Sequence, residues 1–244
     1  FSRIQFASDL LPADILGVSV YEGGRGEFRF HPGPIFSEVV LADEVNRATP
    51  KSQSALLEAM EEHQVTLEGM SRPLPDPFFV IATQNPTHQI GTFPLPESQL
   101  DRFLMRVELG YPAPAAERAL LQGRDRRELV ASLRPVMGPT EVAAVQRDVQ
   151  SVHASEALLD YIQALLAFSR RSAEVAVGLS PRAGLALLRA ARAWALREGR
   201  DFALPEDVPS VLPQVGGRRL QPVDGGPVRR AKGWLALFED VPVP

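Results

Sequence analysis

The chain has 244 residues, 45% of them hydrophobic and 23% charged, with a formal net charge of −4 and no cysteine. That length suits one large domain or one plus a smaller one, and the apolar fraction argues against wholesale disorder. The missing cysteines exclude a disulfide framework, a thiolate metal site and a Cys nucleophile. Mild acidity gives no support to a general phosphate-backbone binder. No apolar run approaches the ~20 residues that span a bilayer. Arg3 and Asp9 in the first ten residues do not read as a signal peptide, so a cytoplasmic location is expected. Lys51 and Lys232 are the only lysines; the other basic residues are arginine.

Ile4-Gln5-Phe6 is a strand candidate, and Ser8 to Leu16 reads as a short helix ending near Gly17. Val18 to Pro34 alternates apolar and polar residues around Gly23-Gly24-Arg25-Gly26, the pattern of a β-hairpin with a glycine tip. The continuous apolar run Val39-Val40-Leu41-Ala42 suits a strand buried on both faces of a parallel sheet. Thr49-Pro50 opens a helix, with Thr as the cap and Leu56, Leu57 and Met60 on one face. Residues 64–74 read as a second hairpin around Glu68-Gly69, Phe78–Ala82 as another buried strand and Arg106–Leu109 as a shorter one. Strands alternating with helices predict an α/β domain with a mainly parallel sheet.

The pattern changes at Tyr111-Pro112-Ala113-Pro114, which sets the expected domain boundary: 1–111, then 112–244. Beyond it no strand is expected. Helical periodicity runs over about 115–133, 140–149, 155–171, 180–197 and 205–212, with a weaker stretch at 228–238. Thr140, Ser155 and Ser180 sit where helix N-caps belong. This half predicts a small helical bundle.

Four features carry chemistry. The apolar strand ending in Asp43-Glu44 puts two carboxylates at the carboxyl edge of a sheet, where ligands bind in open α/β folds. NTP hydrolysis needs such a pair, one Asp for Mg²⁺ and a neighbouring Glu for the attacking water. An acidic helix-capping pair would look the same. Phe79 to Ala82 leads into Thr83-Gln84-Asn85-Pro86, and an Asn at that edge suits a water or a γ-phosphate, although Asn-Pro is also a common turn. Asp101-Arg102 ends a short helix read over 95–103; the Arg suits either a surface ion pair or a neighbouring subunit's nucleotide. Arg182 follows Ser180-Pro181 in the first turn of a helix, where a cation opposes the helix dipole unless an anion such as phosphate compensates.

The order of these four features is that of the AAA+ ATPases, and the wording resembles the MoxR family over nearly the whole chain. The matching stretches are residues 9–17, Gly33-Pro34-Ile35-Phe36, residues 41–48 (Leu-Ala-Asp-Glu-Val-Asn-Arg-Ala), residues 51–60, Ala82-Thr83-Gln84-Asn85-Pro86, residues 95–103 and Ser180-Pro181-Arg182-Ala183. The resemblance implies an α/β fold: an AAA+ P-loop NTPase core whose parallel sheet lacks its P-loop strand, followed by a small all-α lid. It implies Asp43 and Glu44 as the Walker B pair, Asp43 serving Mg²⁺ through water and Glu44 the hydrolytic water. It also implies Asn85 as sensor 1, Arg102 as the arginine finger acting in trans and Arg182 as sensor 2. The hairpins near 18–34 and 64–74 are similar to the two inserts that face the ring pore in the wider clade. The implied cofactors are ATP and Mg²⁺. The implied assembly is a homo-oligomeric ring, a hexamer, that remodels or matures a client, inserting a metal cofactor, often beside a von Willebrand factor A domain protein.

One departure is severe. The Walker A motif G-x-x-x-x-G-K-[ST] is absent, and Gly23-Gly24-Arg25-Gly26 has no Lys, precedes the Walker B strand and opens no helix. The expectation is a sequence that begins after the P-loop, on a chain inactive by itself. The alternative is a degenerate ATPase that acts as an interaction or assembly module. A DNA-associated relative fits poorly, because the balance is acidic and no basic appendage is present. His31, His63, His88 and His153 show no metal spacing.

Overall fold

The computed structural model describes residues 1–24, 26–85, 91–123, 130–217, 219–223, 238 and 241–243. It divides into two compact units, Phe1–Phe103 and Leu104–Pro244, where the sequence pattern had placed the change at 111.

The first unit is built on three parallel strands in the order β1-β4-β7: β1 Ser2–Gln5, β4 Val39–Asp43 and β7 Phe79–Ala82. β4 is central, with Arg3 beside Leu41 and Gln5 beside Asp43 on one flank, and Ala42 beside Ala82 on the other. Its Val40 and Ala42 are fully buried, as a central strand requires. β7 was expected to be buried on both faces. It is instead an edge among the described residues, and Phe79 and Ile81 are 53% and 46% exposed.

Between the strands, α1 Pro12–Leu16 is a single turn and a half rather than the longer helix read from Ser8. It ends at Gly17, whose φ of +100° and close approach to the His31 carbonyl leave no room for a side chain. From there β2 Gly17–Glu22 and β3 Glu27–Pro32 form the first hairpin. α2 Pro50–Glu62 follows β4; Thr49 occupies the cap position, but its side chain makes no capping bond. The second hairpin, β5 Gln64–Leu67 and β6 Met70–Pro73, turns at Glu68 (φ 53°) and Gly69 (φ 76°). Two consecutive positive φ values are what a tight two-residue hairpin loop demands. Phe6, Ile15, Ile35, Val40, Leu56 and Leu57 form the core. α3 Glu97–Leu100 is one turn only.

The second unit is helical, as expected: α4 Pro114–Gln122, α5 Pro139–Ser151, α6 Glu156–Arg171, α7 Pro181–Arg197 and α8 Asp207–Gly216. Ser155 and Ser180 cap α6 and α7, accepting from Leu158 and Ala183 backbone N–H groups at 3.3 and 3.0 Å. Thr140 does not cap α5. Gly138 holds that place, and its N–H donates to Glu141 at 2.7 Å. Two short ladders were not anticipated: β8 His153–Ala154 with β10 Phe202–Ala203, and β9 Val175–Val177 with β11 Gln221–Pro222. Two- and three-residue strands leave no periodicity to read.

The strand expected at Arg106–Leu109 does not form. Arg106 N–H donates to the Gln214 carbonyl of α8 at 2.8 Å, and Val107 and Leu109 are 65% and 95% exposed. No described strand lies alongside to complete a ladder, and an apolar run without a partner has no reason to extend as a strand. The weak helix at 228–238 lies outside the described residues apart from Phe238.

Candidate functional site

The parallel strands of the first unit all end on one edge, and the polar residues there close into a network. β4 delivers Asp43. The chain then turns sharply at Glu44, a non-glycine residue in the left-handed region (φ 56°, ψ 45°). Such a conformation costs about 1–3 kcal/mol and persists where the surroundings over-determine it, most often at functional sites. Here Thr83 is the over-determining group. Its hydroxyl accepts from the Glu44 N–H at 2.9 Å and donates to Asp43 Oδ1 at 2.5 Å. The Thr83 N–H and carbonyl bond Ala42 and Val45, both at 2.9 Å, carrying the β4–β7 ladder past the strand ends.

Asp43 Oδ2 takes the Arg3 guanidinium of β1. The Thr83 hydroxyl first, and Arg3 second, hold the Asp43 carboxyl below the ordinary carboxylate value, against partial burial that pushes it up. Glu44 is equally engaged. Its Oε1 accepts from Asn85 Nδ2 at 2.5 Å, and its Oε2 from Arg47 at 2.9 Å and Gln5 at 3.2 Å. The expected trio Asp43, Glu44 and Asn85 therefore meets at one place, each side chain oriented by hydrogen bonds.

Sequence reasoning gave no part to Arg3, Gln5 or Thr83. The signal was present in the register: Gln5 pairs with Asp43, and Arg3 and Gln5 share a face because side chains alternate along a strand. Beneath the network, Asn46 is 3% exposed and has an Oδ1 with no partner among the described residues; Gln53 is 1% exposed, and its side-chain N–H groups donate to backbone carbonyls.

Arg102 stands elsewhere in the same unit. It is half-buried and paired with Glu61 of α2 at 2.8 Å. Arg182 is exposed in the first turn of α7, in the second unit. Pro86 falls outside the described residues.

A divalent cation fits the donor set in one respect: Asp43 is a charged carboxylate at a sheet edge, and Mg²⁺ is commonly held by one or two carboxylates together with substrate phosphates and water. No cluster of three His, Asp or Glu side chains occurs among the described residues, so no metal cage made by this chain alone is present there. The motif that grips phosphates, G-x-x-x-x-G-K-[ST], is not in the chain. No helix among the described residues is long and apolar enough to cross a membrane.

Comparison with known proteins agrees with this geometry. Residues 1–105 match the model of the ATPase family associated with various cellular activities (AAA), and residues 167–231 match the AAA lid domain. The chain is 46% identical over 213 residues to the Bacillus subtilis protein YeaC, covering 87% of this chain and 67% of that protein. It is 41% identical over 229 residues to "Chaperone MoxR1" of Mycobacterium tuberculosis, covering 90% and 60%. It is 33% identical over 249 residues to "Protein MoxR" of Paracoccus denitrificans, covering 90% and 71%. A crystal structure of a Cytophaga hutchinsonii protein assigned as an ATPase superposes with a TM-score of 0.79 at 38% identity, covering 90% of this chain and 69% of that one. The chain thus spans between three-fifths and about seven-tenths of the length of these relatives. An AAA core carrying Asp-Glu and Asn at one sheet edge, a lid domain and these relatives place the chain in the MoxR family of AAA+ ATPases.

Proposed function

We infer that this chain supplies the hydrolytic edge of an ATP-hydrolysing subunit, active when a phosphate-binding loop completes the site. The observation that carries the reading is the Glu44 Oε1–Asn85 Nδ2 hydrogen bond, made at the ends of adjacent parallel strands and beside a charged Asp43. Asp43 would hold Mg²⁺ through water, and the ion, when bound with ATP, would supply charge neutralisation at the phosphates. Glu44 accepts the proton of the attacking water as the water oxygen bonds to the γ-phosphorus. The bond from that phosphorus to the β–γ bridging oxygen breaks, and ADP and phosphate leave. Asn85 keeps the Glu44 carboxylate turned toward the water and reports the γ-phosphate as sensor 1.

Two arginines complete the reading. Arg102 acts in trans as the arginine finger of a homo-oligomeric ring, a hexamer, and Arg182 acts as sensor 2 on the lid. The core comprises residues 1–111 and the lid residues 112–244. The two hairpins engage the client. The Tyr21 and Phe28 rings meet at a tilt, centroids 5.3 Å apart, while 57% and 72% exposed, and Met70 is 55% exposed, so apolar surface is presented where a partner chain would be gripped. Remodelling or maturation of a partner, including metal-cofactor insertion beside a von Willebrand factor A domain protein in the cytoplasm, is the cellular role we assign. "Chaperone" in the name of the M. tuberculosis relative supports the remodelling part.

The test is Glu44→Gln in an intact form that carries a phosphate-binding loop. ATP binding should persist while turnover falls about 10²–10⁴-fold, the usual worth of a positioned proton acceptor. Unchanged turnover removes Glu44 from this role. The absent lysine motif favours a second reading, an interaction module without hydrolysis. For the 244-residue chain itself no measurable ATP affinity is expected, and tight MgATP binding by calorimetry would overturn that expectation.

A further inference from the structure

We propose that Asn46 and Gln53 are positioning residues that hold Asn85 against Glu44, so that the hydrolytic carboxylate is aimed from beneath. The proposal rests on the assignment of Glu44 and Asn85 above.

Both side chains are polar and almost wholly removed from water, at 3% and 1% exposure. Burying an amide is unfavourable unless its hydrogen bonds are replaced, so each needs a structural reason to be there. The Gln53 amide supplies one. From the first turn of α2, the two N–H groups of its Nε2 are shared among the carbonyls of Val45 at 3.2 Å, Ala48 at 3.1 Å and Phe93 at 2.8 Å. It therefore fastens the loop that follows Glu44 to the segment that returns after Asn85.

Asn46 makes two further bonds from the same loop, one to Asn85 and one to Phe93. Its Nδ2 donates to the Asn85 carbonyl at 3.4 Å, and its own carbonyl accepts from the Phe93 N–H at 2.7 Å. Phe93 is thereby held through both its backbone groups. The Asn85 backbone carbonyl is thus held by Asn46 while its side-chain amide donates to Glu44. Glu44 is followed directly by this clamped loop and sits in a left-handed conformation, so the direction of its carboxylate depends on where residues 45–48 are fixed. Neither Asn46 nor Gln53 has a bond to Asp43 or to the Glu44 carboxylate among those described, so they act through the backbone rather than on a ligand.

Misplacement of a reacting group by about 1 Å can cost about 10²-fold in rate without loss of binding. In an intact form carrying a phosphate-binding loop, Asn46→Ala and Gln53→Met should each lower kcat for ATP about 10–100-fold, with KM changed less than about threefold. In an Asn85→Ala background, Asn46→Ala should add little further loss, because one path is already cut. Additive losses overturn the proposal, as does a raised KM with kcat intact. So do unchanged kinetics in both single variants while Glu44→Gln and Asn85→Ala are impaired. If those two remain fully active, the parent assignment fails instead.

A readout free of catalysis uses the 244-residue chain. The Asn85 side-chain amide resonances in a ¹⁵N–¹H spectrum should shift in the mild variant Asn46→Ser while the cooperative melt is retained. Resonances unmoved in that folded variant overturn the positioning role, whatever the fate of the assignment of Glu44.

Discussion

The two units solve the same problem, closing a small interior, with opposite materials. In the first, the described buried polar side chains Asn46, Ser52 and Gln53 lie under the carboxyl edge of the sheet, and each donates to backbone carbonyls of a different segment. In the second, α7 turns Ala183, Gly184, Ala186, Ala190, Ala191 and Ala195 inward, and larger Leu158, Leu165, Leu187 and Val208 fill between the helices. Small residues on one helix let a neighbour approach closely, and the interior is filled mainly by apolar side chains, with Ser169 and Asp207 as its described buried polar groups. Polar fastening fixes directions of individual groups, which chemistry needs. Apolar packing fixes a shape, which a lid needs.

That contrast can be broken most forcefully at Leu187, which is fully buried in the second core. Leu187→Ala should cost the second unit about 3 kcal/mol, the middle of the range for a buried leucine that leaves a cavity. Trp194 and Trp234 both belong to this unit, so tryptophan fluorescence during urea unfolding reads it selectively. A fluorescence midpoint unmoved by the substitution would refute the apolar account.

The corresponding weak point of the first unit is backbone against backbone. Gly33 lies where an added Cβ would be 2.3 Å from the Ile15 carbonyl oxygen and 2.5 Å from the Gly17 nitrogen. Neither can yield as a flexible side chain would. Gly33→Ala should destabilise the first unit by about 2–3 kcal/mol, detected as faster amide exchange in β1 and β4. The tryptophan-detected transition should stay where it was. Movement of that transition instead would show that the units do not unfold separately.

These two positions also show what a single sequence reveals. Caps and helical periodicity are local, so Ser155, Ser180 and the spans of α6 and α7 were readable from adjacent residues. Gly33-Pro34 was visible as part of a family stretch, but its cause, a three-way backbone approach of residues 15, 17 and 33, is non-local. The site divides in the same way. Asp43, Glu44 and Asn85 end apolar runs and were legible as polar punctuation. Thr83 and Arg3 acquire their meaning only from strand register, and Gln53 only from a helix folding back over two loops. Arg106–Leu109 failed because a strand needs a neighbour, which its own residues cannot specify.

The smallest expected effect sharpens the comparison at a buried carboxylate of the second unit. Asp207, at the start of α8, receives both terminal nitrogens of Arg200, at 2.9 and 2.6 Å, and the Leu204 N–H at 2.8 Å. Burial pushes its carboxyl up, but the hydrogen bonds from Arg200 and Leu204 and the Arg200 charge outweigh burial, and the net shift is downward from the ordinary value of 3.8. A carboxyl depressed in the folded state contributes stability that is complete above its unfolded value and is lost as pH falls through the folded value. The tryptophan-detected stability should therefore decline as pH drops below about 3.8. Asp207→Asn should lower stability at neutral pH and flatten that acid limb, since the group that titrates is gone. The first unit should keep its own acid sensitivity, because Asp43 is depressed there by Thr83 and Arg3. An acid limb as steep in Asp207→Asn as in the parent would mean that the clasp contributes nothing to the stability of the second unit.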